Sequence, residues 1–554
     1  MKVIFFLAIT ASCLTACKKS GNTTSAPASF TLIFTVNGAN NGQLTYQSNT
    51  TSPVVRFSFS SPVQTSGINT NFTYVNSGNT AVPFSLTLQN NDSVVIIQPI
   101  SPLKGFSNYR LSVSPGLLSA GKGSLVNPVS INIKTAIDST DKFPQISDSA
   151  LLTLVQQQTF KYFYDFGHPV SGLALERNTS GDIVTIGGSG FGVMAMLVGI
   201  QRNFISRSDG LARCIKIVNF LTTQAQRYHG AFPHWMNGAT GTTVPFSDND
   251  NGADLVETSY LMQGLLTARQ FFNSSDLAEI SLRGSINNLW DSVEWNWFRQ
   301  NGQNVLYWHW SPNLNFVINM PINGWDEALI VYALAASSTV DSNRIPSIVY
   351  KNGWAMNGAI KNGKSYYGIP LPLGPDWGGP LFFAHYSFLG INPNNLSDTY
   401  ADYRVQNQNH TFINYNYCVT NPRNYIGYSN ACWGLTASDD NISGYSSHSP
   451  TNDLGVITPS AAISSLPYAP TQSMNALRFF YYKLGDKIWG TYGFVDAFNL
   501  TNLWFANSYL AIDQGPEIIM IENYRSGLLW NLFMSCPEIK TGMKSLGFIS
   551  PNLN

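Results

Sequence analysis

The sequence predicts a mainly α chain: an (α/α)6 barrel, or toroid, preceded by a small all-β sandwich. Three observations carry this. From about residue 28 to 137 the chain is a series of short β-branched and aromatic runs separated by Asn, Gly, Ser and Pro clusters. From residue 138 to 554 the texture changes to about a dozen helical runs joined by long loops. No β/α alternation is visible in that second part, which disfavours a doubly wound sheet.

The first segment, residues 1–17, reads as a lipoprotein signal peptide. Lys2 precedes an apolar run from Val3 to Leu14, and Leu14-Thr15-Ala16-Cys17 resembles a bacterial lipobox with Cys17 as the lipid-bearing residue. Residues 18–27 form a Ser/Thr/Gly linker. The expectation is an exported lipoprotein tethered to a membrane, in the periplasm or at the outer membrane or cell surface. Of six cysteines, Cys13 and Cys17 fall in this segment, which leaves Cys214, Cys418, Cys432 and Cys536. No CxxC occurs, so a zinc site is not expected, and no metal site is read from the sequence. One disulfide is allowed, with its pairing open.

Residues 28–137 contain strand-like runs at Phe30–Val36, Val54–Phe59, Ser93–Ile97 and Tyr109–Val113. Their spacing fits a sandwich of about 100 residues. The stretch looks like the bacterial immunoglobulin-like modules that precede the catalytic part of exported enzymes. Beyond it, Ser147-Asp148-Ser149 caps a helix reaching about Phe166. Further helices are predicted over Phe191–Ile200, Leu211–Arg227, Gly252–Phe272, Leu277–Trp295, Trp325–Ala336 and Phe382–Leu389. Pro459–Leu466, Gln472–Leu484, Asn502–Ala511 and Pro516–Asn531 follow. Asp182 to Gly192, with Asp209 about 20 residues on, mimics a dinucleotide fingerprint. The segment from Leu211 continues as helix rather than strand, so its glycines are expected to make a tight turn at a helix start.

Composition narrows the function. The chain has 554 residues, 44% of them hydrophobic, with 31 basic and 31 acidic side chains. A zero net charge gives no support for a nucleic-acid partner. Aromatic residues make up 13% of the chain, many in loops beside Gly and Pro, where rings for stacking on sugars would sit.

Four acids fall in the ten residues from Asp248 to Glu257. Asp254 and Glu257 share a helical face, and Asp250 lies in the loop feeding that helix. Acids at a helix start also serve as caps, which explains Asp248 and Asp250 better than Glu257. The EF-hand pattern fails here: counted from Asp248, Gly252 is fifth rather than sixth and Ser259 is twelfth where Glu is needed. A carboxylate cluster aimed at a pocket, used for acid/base work, is the sharper reading.

A second motif, Asn323-Gly324-Trp325-Asp326-Glu327, sets a ring beside two acids at a helix start, where apolar contact raises a carboxyl pKa. Plain helix capping explains the same acids. Polar–aromatic loops recur later around Trp377, His385, Asp439, Phe494 and Asp513. Trp235 and Tyr468 join Trp325, Asp326, Trp377, His385, Asp439 and Phe494 as substrate-binding candidates. A lone His385 also fits a structural hydrogen-bonding role.

Residues from about 145 to 545 resemble the exported glucoamylase-like hydrolases grouped as glycoside hydrolase family 144. The resemblance rests on Gly188-Ser189-Gly190-Phe191-Gly192, Asp250–Glu257, Gly324–Glu327, Gly434–Asp439, Tyr492–Asp496 and Asp513–Pro516, in that order. It implies an (α/α)6 barrel, hydrolysis of β-1,2-glucan to sophorose and short sophorooligosaccharides, inversion at the anomeric carbon, and no cofactor. The family's important acids then fall on Asp250, Asp254 and Glu327, with Glu257 beside them. Glu327 is expected as general acid. Asp254 is the first choice for base and Asp513 the alternative, with a base acting through a sugar hydroxyl also open. The expected partner is a polysaccharide, and the expected state is a monomer. A glycan-binding lipoprotein without turnover, and another polysaccharide enzyme on the same barrel, are the competing readings.

Overall fold

The computed structural model describes residues 26–47 and 50–554. The proposed signal peptide and its Cys17 lie outside them. The chain divides after residue 138 into two compact units.

The first unit is a two-sheet β-structure. Its strands are β1 (Leu32–Val36), β2 (Thr45–Gln47), β3 (Val55–Phe59), β4 (Phe72–Asn76), β5 (Phe84–Gln89), β6 (Val94–Pro99), β7 (Asn108–Val113) and β8 (Ser130–Lys134). One sheet has the order β1-β3-β6-β5 and the other β2-β8-β7-β4. β2 and β8 pair in parallel; the remaining pairs are antiparallel. Alternation fixes the inward faces: Val55, Phe57 and Phe59 of β3 and Tyr109, Leu111 and Val113 of β7 are buried in one core shared by both sheets.

The second unit is mainly helical. It opens with α1 (Asp148–Tyr164), whose Ser147 cap accepts the Ala150 amide at 3.3 Å. Then come β9 (Ile183–Thr185), α2 (Ile186–Gln201), α3 (Arg207–Thr223), β10 (Trp235–Asn237), β11 (Thr243–Val244), β12 (Ala253–Asp254), α4 (Leu255–Phe271), α5 (Leu277–Asp291), β13 (His309–Trp310) and α6 (Leu329–Ser337). After these follow α7 (Ser347–Val349), α8 (Tyr403–Thr420), α9 (Pro459–Ser464), α10 (Pro470–Ile488), α11 (Ala511–Arg525), α12 (Leu528–Met534) and α13 (Pro537–Leu546).

Burial alternates along this series. Every residue from Ile186 to Gly199 of α2 and from Leu255 to Ala268 of α4 is buried, as are all of α6 and α9 and most of α11. The helices between them, α3, α5 and α10, bury one stripe only. The buried helices pack in succession, α9 on α11, α11 on α2, α2 on α4 and α4 on α6. Short strands precede two of them: β9 runs into α2 and β12 into α4.

The glycines of the 188–192 run lie inside α2 rather than in a turn, and none has a positive φ. Their function is close approach. A Cβ on Gly190 would collide with the Tyr260 carbonyl and the Leu261 Cα, and one on Gly264 would meet the backbone of Gly190. The two helices therefore touch backbone to backbone.

Other expectations also shift. Asn502–Ala511 is not helical: it holds a short strand at Trp504–Phe505 and turns, with α11 starting at its end. Phe382–Leu389 is a pair of 3-10 turns. Trp325 to Ala328 are a turn before α6, and Gly252 to Asp254 precede α4. α8 and α13 were not expected. Cys214, Cys418, Cys432 and Cys536 are all free and buried, so none forms a disulfide. Among the described residues no helix is long and apolar enough to cross a membrane.

The Gly190→Ala substitution should lower the stability of the second unit by about 1–3 kcal/mol, the usual cost of overpacking a tight contact. Urea denaturation followed by tryptophan fluorescence would measure it. A midpoint equal to the parent's would contradict the backbone contact.

Candidate active site

The N-terminal ends of α2 and α4 open on a cavity of about 380 Å³. Trp235, Phe246, Tyr260 and Trp308 supply rings to its wall, and Glu176, Glu257 and Glu327 supply carboxyls. That size and mix suit a small polar ligand with apolar faces.

Glu257 belongs to the first turn of α4. Its Oε2 accepts the Gly187 amide at 2.6 Å and the Thr185 hydroxyl at 3.3 Å. Gly187 is in the first turn of α2, so the carboxylate sits where that helix presents free N–H groups. Glycine is required there, because a Cβ on Gly187 would lie 2.7 Å from the same oxygen. Burial nevertheless raises the Glu257 pKa, against the lowering effect of His234.

Asp254 caps α4. Its Oδ1 accepts the amides of Val256 and Glu257, both at 2.9 Å. Its Oδ2 takes His234 Nδ1 at 2.9 Å and lies 3.7 Å from His309 Nε2. The group is fully buried, and these partners account for both oxygens. It stands behind His234 and does not line the cavity. Burial opposes a charge on His234, but the Glu257 carboxylate and the bond to Asp254 outweigh it and lift the imidazole to about 9. His234 is therefore a cation at neutral pH, and it lines the cavity. Asp250 lies 3.6 Å from His309 Nε2 and is raised to about 7 by burial and by Asp254. His234, Asp250 and Asp254 offer ligand atoms within 4.8 Å of one another, a set that could take a divalent cation.

Glu327 lines the cavity near Glu257. Burial pushes its carboxyl up to about 7, with the charges of Asp254 and Glu257 adding to the effect. Its backbone carbonyl accepts the Tyr260 hydroxyl at 3.3 Å and the Ser387 hydroxyl, which pins the turn before α6. Asp326 instead caps that turn, accepting the Ala328 amide at 2.8 Å.

A second group of acids lies around the start of α11. Asp513 and Asp496 hydrogen-bond to each other, and burial raises both, Asp513 to about 7 and Asp496 further. Two buried carboxyls in contact hold one proton between them. Asp513 Oδ1 accepts the Ser460 hydroxyl at 3.3 Å, and apart from Asp496 no described residue hydrogen-bonds to its Oδ2. Asp513 lines a recess of about 10 Å³, roughly the room one water needs. Phe382 and Tyr386 border both this recess and the main cavity. Asp439 is tied to Arg177 at 3.2 Å, and the Ser508 hydroxyl donates to it at 2.6 Å.

Of the residues singled out from the sequence, Glu257, Glu327 and Trp235 line the cavity. Trp325 does not: it is buried against Trp354, Phe388 and Tyr403. Trp377 packs on Tyr366 beside the 361–373 hairpin. Phe494 packs on Phe480 and Trp489. Tyr468 is buried and donates to the Ala384 carbonyl at 3.1 Å. His385 is buried beside Ser465 at 3.1 Å, on the small recess, and burial lowers it to about 3. Sequence reasoning missed His234, Tyr260, Trp308, Tyr445 and the Glu176-Arg177 pair on the wall. His234 stands next to Trp235, a polar–aromatic pair like those singled out elsewhere.

A family model described as "Putative glucoamylase" matches residues 319–537, and one described as "Bacterial Ig-like domain" matches residues 24–135. An exo β-1,2-glucooligosaccharide sophorohydrolase (non-reducing end) of Parabacteroides distasonis is 44% identical over 424 residues, 72% of this chain; the match spans 58% of that relative's length. A crystal structure from Bacteroides uniformis, given the same glucoamylase description as the family model, is 57% identical with a TM-score of 0.73, over 74% of this chain and 100% of that one. The endo-β-1,2-glucanase of Chitinophaga pinensis, solved with sophorotriose and glucose, is 51% identical with a TM-score of 0.72, over 74% of this chain and 100% of that one. The chain belongs to the glucoamylase-like glycoside hydrolases of family 144, with a bacterial Ig-like domain preceding the helical unit.

Proposed function

We propose that the chain hydrolyses β-1,2-glucan to sophorose and short sophorooligosaccharides with inversion, and that it attacks within the polymer. The observation that carries the proposal is the meeting of Glu257 and Glu327 in one ring-walled cavity, with Glu327 raised to about 7. Internal attack follows the Chitinophaga enzyme, which this chain matches over that protein's full length. The alternation of buried and striped helices supports an (α/α)6 barrel, its inner ring made of α2, α4, α6, the 381–389 turns, α9 and α11.

In the proposed reaction Glu327 gives its proton to the leaving glycosidic oxygen as that bond to the anomeric carbon breaks. Water forms the new bond from the opposite face and loses a proton to the base. Asp254 is an unfavourable base, since its oxygens hold two amides and His234. Asp513 takes that role here: its carboxyl is held only by the Ser460 hydroxyl and by the proton it shares with Asp496, and it lines a water-sized recess. Glu257 then serves as a fixed anion that holds sugar hydroxyls and helps keep Glu327 protonated. A second reading exchanges the two, because Glu257 borders the larger cavity.

Glu327→Gln should lower kcat on β-1,2-glucan by about 10²–10⁴-fold with the fold intact; near-parental turnover would remove the acid assignment. Asp513→Asn and Glu257→Gln should both be impaired. Added azide should restore only Asp513→Asn, releasing a glycosyl azide, and restoration of Glu257→Gln instead would favour the exchanged reading. An acid at about 7 must be protonated to act, so kcat/KM should fall as pH rises through about 7. A profile flat from pH 6 to 9 would contradict that value. Polarimetry should show the α-anomer first.

A further inference from the structure

We propose that the recess beside Trp297 is a second carbohydrate site, apart from the cleavage cavity, which holds one or two glucose units of the polymer. This rests on the substrate class proposed above.

The recess has a volume of about 310 Å³, with Glu294, Asn296, Trp297, Asn301, Phe316 and Asn343 in its lining. Trp297 is 45% exposed and is the one tryptophan of the exposed class among the described residues. Its free edge and face are open to the recess, where a flat apolar ligand face can stack.

The ring is also held rigidly. The His229 imidazole stacks on it with centroids 3.9 Å apart and planes 15° from parallel. Glu294 fixes that imidazole through Nδ1 at 2.8 Å, and the Glu294 amide donates to the His229 carbonyl at 3.0 Å. His229 has a φ of 51°, an uncommon conformation for a side-chain-bearing residue. The lip of the recess is similar: Gln300, Asn301 and Gly302 have φ values of 44°, 67° and 81°.

The chemistry of this lining matches a neutral sugar. An indole accepts the C–H face of a pyranose, and amides with a carboxylate bind its hydroxyls. The lining has one carboxylate and no cation, which disfavours an anionic polymer. The ring series also leads towards the cleavage cavity. His229 meets Trp310 edge-on at 5.0 Å, and Trp308, two residues earlier, lines that cavity.

The test uses native gels containing β-1,2-glucan or laminarin, with all proteins in a Glu327→Gln background so that nothing is cleaved. Trp297→Ala should weaken retardation by β-1,2-glucan at least threefold in apparent Kd. Ser342→Arg, which fills the recess from another lining position and leaves Trp297 and His229 themselves unchanged, should do the same. In the active enzyme both changes should leave kcat/KM on a short sophorooligosaccharide within twofold and raise KM on the long polymer. If both variants are retarded like the parent, or no neutral β-glucan retards the parent, the proposal is overturned. Failure of the active enzyme to cleave β-1,2-glucan would instead remove the proposed reaction. Retardation by laminarin that is lost in both variants would still establish the second site.

Discussion

The contact on which the site depends is the one between the Glu257 carboxylate and the first turn of α2. It exists only because α2 and α4 touch through their backbones, at Gly190 and Gly264. A carboxylate as buried as this one would cost several kcal/mol if left without partners. The Gly187 amide, the Thr185 hydroxyl and the partial positive charge of the helix end offset that cost together. Helix packing in the core therefore decides where a charge can stand at the mouth. The same segment order repeats the device: β9 enters α2 and β12 enters α4, so their loops bring polar groups to one place.

Charge within the cavity is then strongly constrained. Glu257, Glu327 and the Asp254 behind them are close enough to influence one another, and His234 is the one cation bonded among them. One imidazolium does not keep three buried carboxyls ionised. Asp254 remains charged through its two amides and His234, and the proton settles on the less supported Glu327. Across the cavity Asp496 and Asp513 share a proton for the related reason that two buried carboxyls adjoin. A reaction that takes a proton from one wall and returns one to the other suits such a site.

Much of this was legible in the sequence, though unevenly. The buried helices announced themselves as apolar runs, and the acids of the 250s and Glu327 stood out against a chain that is only 11% charged. α8 escaped notice because its inner face is polar: Gln406, Asn407, His410, Thr411 and Asn414 are buried and carry no hydrophobic period. The acids at 254 and 257 read as equals, one turn apart. Only the backbone separates them, since Asp254 precedes the helix and turns back to cap it while Glu257 points at α2. The 188–192 glycines read as a turn because glycine runs usually mark one. Here they serve helix contact, and the sequence carries no signal of the partner surface.

The rings show most plainly what a chain rich in aromatics hides. Packing helices in alternating layers leaves irregular gaps, and Trp325, Phe494 and Tyr468 fill such gaps even though each sits beside polar, loop-like sequence. A ring reaches solvent or ligand only where the backbone beneath it is pinned at an edge. Trp235 is pinned by β10 pairing with β9 and β11, and Trp297 by the stacked His229. What distinguishes a binding ring from a core ring is thus the support on its far side, a non-local property. This is why Trp235 and Trp325, both next to a charged or titratable residue in the sequence, ended in such different surroundings.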